Sequence, residues 1–238
     1  MKMKLSQKHT ETTKHLSLGN NRTDQPPSAK SLFDYKSDRE IWLEFKKGNE
    51  AAFNHIYRKY TPGLYNFAYQ FTRNKDIIKD SIQNVYISIR RRREKLSEVN
   101  SIKAYLYKAI YREMVKKLEK ERKFISDEAL TDDLFNIELS FEDKIIGDEI
   151  TEEIKTKLDK ILKQLTNKQK EALLLFYAEG LSYKEVAEVM GLKNSKSARK
   201  LIYRALDTAR KEVNTGNYFL DIPALISLYA IVSQSISQ

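Results

Sequence analysis

The feature that most constrains this chain is the spacing of its apolar residues. From residue 37 to 122, and again from 149 to 213, they recur three and four positions apart. Residues so spaced share one face of a helix, whereas a half-buried strand needs an apolar group at every second position. Ile41, Trp42 and Phe45 make one such stripe. Ala52, Phe53, Ile56, Tyr57 and Tyr60 make the next, and Leu64, Phe67, Ala68 and Phe71 continue it past Thr61-Pro62-Gly63, which reads as an interruption. Ile78, Ile82, Val85 and Ile89 form a third. No run of alternating β-branched residues occurs, so the expected fold class is all-α.

Punctuation supports that reading. Ser37 stands where a helix cap belongs and Gly48 where that helix should stop. Asn74 or Asp76 opens a helix to about Arg93, and Ser101 opens another to about Arg122. Thr166 with Gln169, and Ser182 with Glu185, have the spacing of capping boxes. Gly180 and Gly191 follow the two helices so started, and Asn194 or Ser195 begins the last one, to about Val213. The expected organisation is two small helical domains, 37–122 and 149–214, joined by an acidic flexible linker at 123–148. A flexible polar tail (1–36) precedes them and an apolar tail (215–238) follows, the latter read as a helix packing back on the second domain.

Several chemistries drop out. The chain has no cysteine, which removes thiol nucleophiles, disulfides and Cys-ligated zinc. None of its seven glycines forms a phosphate-binding loop. Two of the three histidines, His9 and His15, lie in the polar tail, away from His55. We therefore expect no catalytic residue, no metal site, no cofactor and no small-molecule substrate. The start of the chain lacks the apolar core of a signal peptide, and no stretch of 18 apolar residues exists, which together read as cytoplasmic.

Charge points instead to a polyanion. The net charge of +10 is segregated: +4 over 1–36, +9 over 37–120, −7 over 121–160, +5 over 161–214 and −1 over the remainder. Two basic modules flanking an acidic joint suit nucleic acid or an acidic membrane surface. In the second module a short helix, a glycine turn and a longer basic helix match a helix-turn-helix. On the longer helix Ala198, Leu201, Ile202 and Ala205 form the anchoring face. Ser195 and Lys196 at its start, with Arg199, Lys200, Tyr203 and Arg204, are candidates to enter a DNA major groove.

In the first module Asp80, Gln83, Asn84 and Ile87 line a second face of their helix, polar with one aliphatic residue, which suits protein docking. Arg91, Arg92 and Arg93 end that helix within a run of four arginines. The next helix carries Lys103, Tyr107, Lys108, Tyr111 and Arg112. Cations interleaved with tyrosines suit unpaired DNA, where rings stack on bases and cations hold phosphates. The competing expectation puts about half of these tyrosines in the core.

An ordered series of motifs carries a resemblance. It runs from Gly48, Ala52, Phe53, Tyr57 and Tyr60, through Asp80, Gln83, Val85 and Tyr86, to Tyr105-Leu106. Leu165, Thr166 and Gln169, then Gly180 to Ala187, and finally Tyr203 to Leu206 complete it. In this order the residues resemble an alternative sigma factor of bacterial RNA polymerase, in the extracytoplasmic-function (ECF) group of the sigma-70 family. The resemblance covers about residues 38–213. It implies regions 2 and 4 of that family without an intact region 3. It also implies core RNA polymerase and promoter DNA as partners, and often an anti-sigma factor, frequently membrane-anchored.

By resemblance, Asp80 and Gln83 would dock on the clamp helices of the largest subunit. The loop at 94–100 and the helix after it would capture the melted −10 strand, and the last helix would read the −35 element. The acidic joint would lie in the RNA path. Asn84 stands where an acidic residue is usual, Arg112 where Asn is common, and Ser197-Ala198 where Thr-Val is commoner. The alternative reading is a helix-turn-helix regulator that does not bind core polymerase. A metal-dependent nuclease is a third, but its only carboxylate cluster would be the linker.

Overall fold

The computed structural model describes residues 32–123 and 160–214, and all of them belong to one compact unit that begins at Leu32. The apolar tail lies outside the described residues, as do residues 1–31 of the polar tail and all of the acidic linker but Lys123. The rest of the polar tail departs from the expectation of a flexible segment, because Leu32–Tyr35 forms a 3-10 turn that buries Phe33 in the core. Within the described residues, every regular element is helical.

Ser37 caps α1 (Asp38–Lys46) through a complete capping box with Glu40, and Gly48, at φ +91°, turns the chain out of it. Asn49 caps α2 (Glu50–Tyr69) by accepting hydrogen bonds from the backbone amides of Ala51 and Ala52. Asn74 does the same for α3 (Lys75–Arg92) with Asp76 and Ile77. The Ser101 hydroxyl accepts from the Ala104 amide, and the Asp38 carboxylate accepts from the Ile102 amide at 2.7 Å, so α4 (Ile102–Lys123) is capped by its own serine and by a residue of α1.

One expectation fails here. Thr61-Pro62-Gly63 does not interrupt the helix, because α2 runs through it with Pro62 inside. Proline withholds one amide hydrogen and crowds the preceding turn. The Thr61 hydroxyl donates to the Tyr57 carbonyl at 2.6 Å, within that turn, and lies 3.2 Å from the Tyr86 hydroxyl. Buried Tyr60, Leu64 and Phe67 carry the packed face across the proline, and their burial outweighs the local cost.

In the C-terminal part, 160–164 is helical and leads into α5 (Asn167–Leu173), boxed by Thr166 and Gln169. A π-helical turn, Leu174–Ala178, follows it without a break. Gly180, at φ +64°, lets the chain reverse before α6 (Tyr183–Val189), boxed by Ser182 and Glu185. Gly191, at φ +67°, makes the next turn, and the Asn194 side chain accepts from the Ser197 amide at the start of α7 (Ser195–Asn214).

One apolar core runs through both parts. Trp42, Phe45, Ile56, Leu64, Phe67, Ile78, Leu106 and Met114 fill the N-terminal half, and Leu175, Val186, Ala198, Ile202 and Ala205 the C-terminal half. Trp42 also donates its indole hydrogen to the Ser97 carbonyl at 2.9 Å, which pins the 94–100 loop to α1. α4 packs directly against α6, so the two halves touch.

Candidate nucleic-acid and polymerase interface

Three surfaces carry the candidate residues. The first is the outer face of α3. Asp80, Gln83, Asn84 and Ile87 are all exposed, and Ile87, at 55% exposure, is among the largest apolar groups left in water. Beside it runs an open groove between α2 and α3, lined by Phe53, Tyr57, Tyr65, Ile82, Gln83 and Ile87 among others. Tyr57 and Tyr86 meet at 4.8 Å between ring centroids, and burial pushes the Tyr86 hydroxyl up to about 12. Arg90 closes one end, lying over the Phe53 ring at 5.3 Å and paired with Glu50 at 2.9 Å. Asp80 and Asn84 are tied back to α4, 3.8 Å from Lys117 and 3.1 Å from Glu113 respectively. Gln83 and Ile87 line the groove, whereas Asp80 and Asn84 are engaged at its flank.

The second surface is the end of α3 with α4. Arg91, Arg92 and Arg112 are exposed, and Lys108 is half-buried. Arg92 reaches back to the hydroxyl of Ser88. Arg93 differs from Arg91 and Arg92. It is half-buried, its Nε has no hydrogen-bond partner, and its guanidinium lies where a Cβ on Gly48 would sit in van der Waals contact. Arg93 therefore packs on the α1–α2 turn. Tyr111 is half-buried, edge-on to Phe71 at 5.7 Å.

Tyr107 departs further. It is 1% exposed, its ring lies 5.2 Å from Phe67, and its hydroxyl donates to the Glu179 carboxylate. Burial first, then the neighbouring Glu179 charge, pushes that phenol far above its ordinary value. Lys103 also turns to Glu179, 3.1 Å from its carboxylate, and donates to its backbone carbonyl. Positions 103, 107 and 111 share a helix face, and that face is the one α4 buries. The pattern of cations and rings could not separate it from the side that carries Lys108 and Arg112.

The third surface is α7. Ser195, Lys196, Arg199, Lys200, Tyr203 and Arg204 are all exposed, while Ala198, Ile202, Ala205, Leu206 and Ala209 are buried beneath them. The basic row is therefore presented outward from a firmly seated helix. Tyr203 lies beneath the Arg199 guanidinium, 5.3 Å from ring centroid to carbon. The neighbouring Arg199 guanidinium is the leading cause that lowers the Tyr203 phenol. Tyr183 stacks on Phe176 at 4.5 Å. Phe176 belongs to an apolar stripe and Tyr183 to the Gly180–Ala187 motif, but no local spacing marks the contact between them, because each finds its partner on another element.

Comparisons with known proteins follow the same division. The family description "Sigma-70 region 2" matches residues 56–124, and "Sigma-70, region 4" matches residues 155–208. The chain belongs to the sigma-70 family. Sigma factors bind core RNA polymerase and DNA, and act by binding rather than by catalysis. This sigma factor is 24% identical over 165 residues to the ECF RNA polymerase sigma factor SigM of Bacillus subtilis (strain 168), covering 68% of this chain and 94% of that one. It is also similar to a solved structure of CnrH in complex with the cytosolic domain of CnrY. That match has a TM-score of 0.48 and 16% identity, and covers 76% of this chain and all of the other. Among the described residues no helix of this sigma factor is long and apolar enough to cross a membrane, and no His or carboxylate cluster could hold a metal.

Proposed function

We propose that the chain is an alternative sigma factor of the ECF kind. It binds core RNA polymerase, brings it to a set of promoters through their −35 and −10 elements, and helps to melt the −10 segment. The observation that carries this reading is the pairing, in one chain, of an outward basic row on α7 with an apolar-rimmed docking groove on α2–α3. A duplex reader alone would need only the former.

In this reading Gln83 and Ile87 seat on the polymerase, with Asp80 and Asn84 at the edge of the contact. Arg91, Arg92, Lys108 and Arg112 hold the phosphates of the melted strand, and Lys103 joins them when it is released from Glu179. On α7, Arg199 reads a base edge while Tyr203 orients it, and Ser195, Lys196, Lys200 and Arg204 hold phosphates. The energy for opening comes from binding, as unstacked bases exchange neighbours in the duplex for contacts on the protein. The site of action is the cytoplasm, where the polymerase and promoters are.

Transcription in vitro with purified core polymerase on a fragmented genomic library, followed by sequencing of the transcripts, tests the reading. It predicts initiation at a shared pair of elements only when the protein is added. Absence of core binding in a pull-down would refute it.

A further inference from the structure

Three residues of α1 reach out of their own helix to one short segment of the chain. The Asp38 carboxylate accepts from the Ile102 amide at 2.7 Å and from the Tyr60 hydroxyl at 3.2 Å. The Trp42 indole donates to the Ser97 carbonyl at 2.9 Å. Arg39 donates twice to one oxygen of Glu98, from Nε at 3.1 Å and from Nη2 at 2.8 Å. Positions 38, 39 and 42 lie on one side of a helix, so α1 presents all three together. Trp42 is 0% exposed, and Phe45 and Tyr105 flank its ring at 5.2 and 5.0 Å between centroids, which fixes the direction of its donor.

The segment they hold, 96–101, belongs to no helix. Leu96 and Val99 pack inward on the core, whereas Ser97, Glu98 and Asn100 are exposed. A chain without a ladder of its own takes its shape from whatever outside it pairs with its backbone. Here that is α1, through Trp42 at one end and Asp38 at the other, with Arg39 between them. Arg39 and Glu98 are each more than half exposed, and a pair so wet adds little stability. Its effect is on geometry and charge. Two N–H groups on one oxygen set the direction of Glu98. The guanidinium also offsets an anion that stands next in the chain to the surface of Arg91 and Arg92, where a loose carboxylate would repel the phosphates those cations attract.

We propose that α1 is the template of the 96–101 loop, with Arg39 and Trp42 as positioning residues that shape it to receive one unstacked base of the −10 element and so set which base is accepted. The role in base choice rests on the sigma-factor reading, whereas the bracing itself does not. α1 needs no contact of its own with DNA or polymerase. A receiving surface held still discriminates better than one that adjusts to each base, because the wrong base then meets donors that cannot follow it.

The test uses the full-length chain, alone and with core polymerase. Arg39→Ala breaks the brace. Arg39→Ala with Glu98→Ala breaks it without leaving a stray anion, and Arg39→Glu with Glu98→Arg rebuilds it in reverse. Trp42 is the only tryptophan, so its indole N–H gives a single resonance that reports the bond to Ser97. In the free chain that proton should exchange with solvent about fivefold or more faster in both broken variants, and near the parent rate in the reversed one. With core polymerase, affinity is measured for forked −10 duplexes carrying each of the four bases at each unpaired position. The broken variants should lose about fivefold in base discrimination at one position, the equivalent of one net hydrogen bond, and the reversed pair should regain it. Discrimination at the other positions, affinity for a −35 duplex and the melting temperature should match the parent. An equal loss at every position marks a merely structural role and overturns the proposal, as does an indole exchange and base preference unchanged in both broken variants. Faster exchange with the parent's base preference refutes the role in base choice. If not even the parent binds core polymerase, the sigma-factor reading falls, and the indole exchange alone decides the brace.

Discussion

Glu171 should make the helix-turn-helix half measurably less stable as pH rises, and Glu171→Gln should abolish that loss. The residue lies in α5 at 3% exposure, and its Oε1 has no hydrogen-bond partner. Burial raises its pKa from 4.5 to about 8, against a smaller opposing pull from Lys168. The sign follows from proton counting. Between 4.5 and about 8 the folded protein keeps a proton on Glu171 that the unfolded chain has released, so stability is full below 4.5 and declines until the folded group ionises. Each pH unit inside that window costs about 1.4 kcal/mol. From pH 5 to pH 7 the loss attributable to this carboxyl is roughly 2.5 kcal/mol. Urea unfolding of the wild type and of Glu171→Gln at pH 5, 6, 7 and 8, followed by circular dichroism, isolates it as the difference between the two proteins. The variant should gain on the wild type steadily across the series. Parallel pH profiles would refute the reasoning, and so would a variant that loses stability at pH 7.

Ile87→Glu should weaken core-polymerase binding by about 2 kcal/mol, as loss of an apolar anchor does; with the side chain at 55% exposure, the melting temperature should hold, and calorimetry can check both. Tyr203→Ala removes the ring that lies beneath the Arg199 guanidinium and should blur discrimination at one base of the −35 element rather than lower affinity for all sequences, as a binding-site selection would show. Lys200→Ala should cut affinity for every sequence and reduce the slope of log K against log salt by about 1, whereas Arg199→Ala should cost ~1–3 kcal/mol at one position; salt titrations on matched and mismatched duplexes separate them.

Much of this molecule is legible from local chemistry. Ser37, Asn74, Thr166 and Ser182 cap their helices because an oxygen two or three residues ahead of an unpaired amide needs nothing beyond its own segment. Charge and apolar spacing in α7 likewise separate its buried face from its exposed row, since a helix flanked on one side by its neighbours has only one way to face. Pro62 is the counterexample: its local signal says break, and the burial of Tyr60, Leu64 and Phe67 overrides it.

The sequence by itself determined an all-helical chain, a last helix with one basic face, and the sigma-70 resemblance, all of which rest on local spacing and short motifs. Only the tertiary structure decided which cations and rings are available. Arg93 packs at Gly48, Tyr107 is taken into the core, and Lys103 faces Glu179. Glu179 and Lys103 are seventy-six positions apart, and no periodicity relates them. A partner that arrives from another helix leaves no mark on the spacing of its own segment, so the contact that joins the two halves could be seen only once they were folded together.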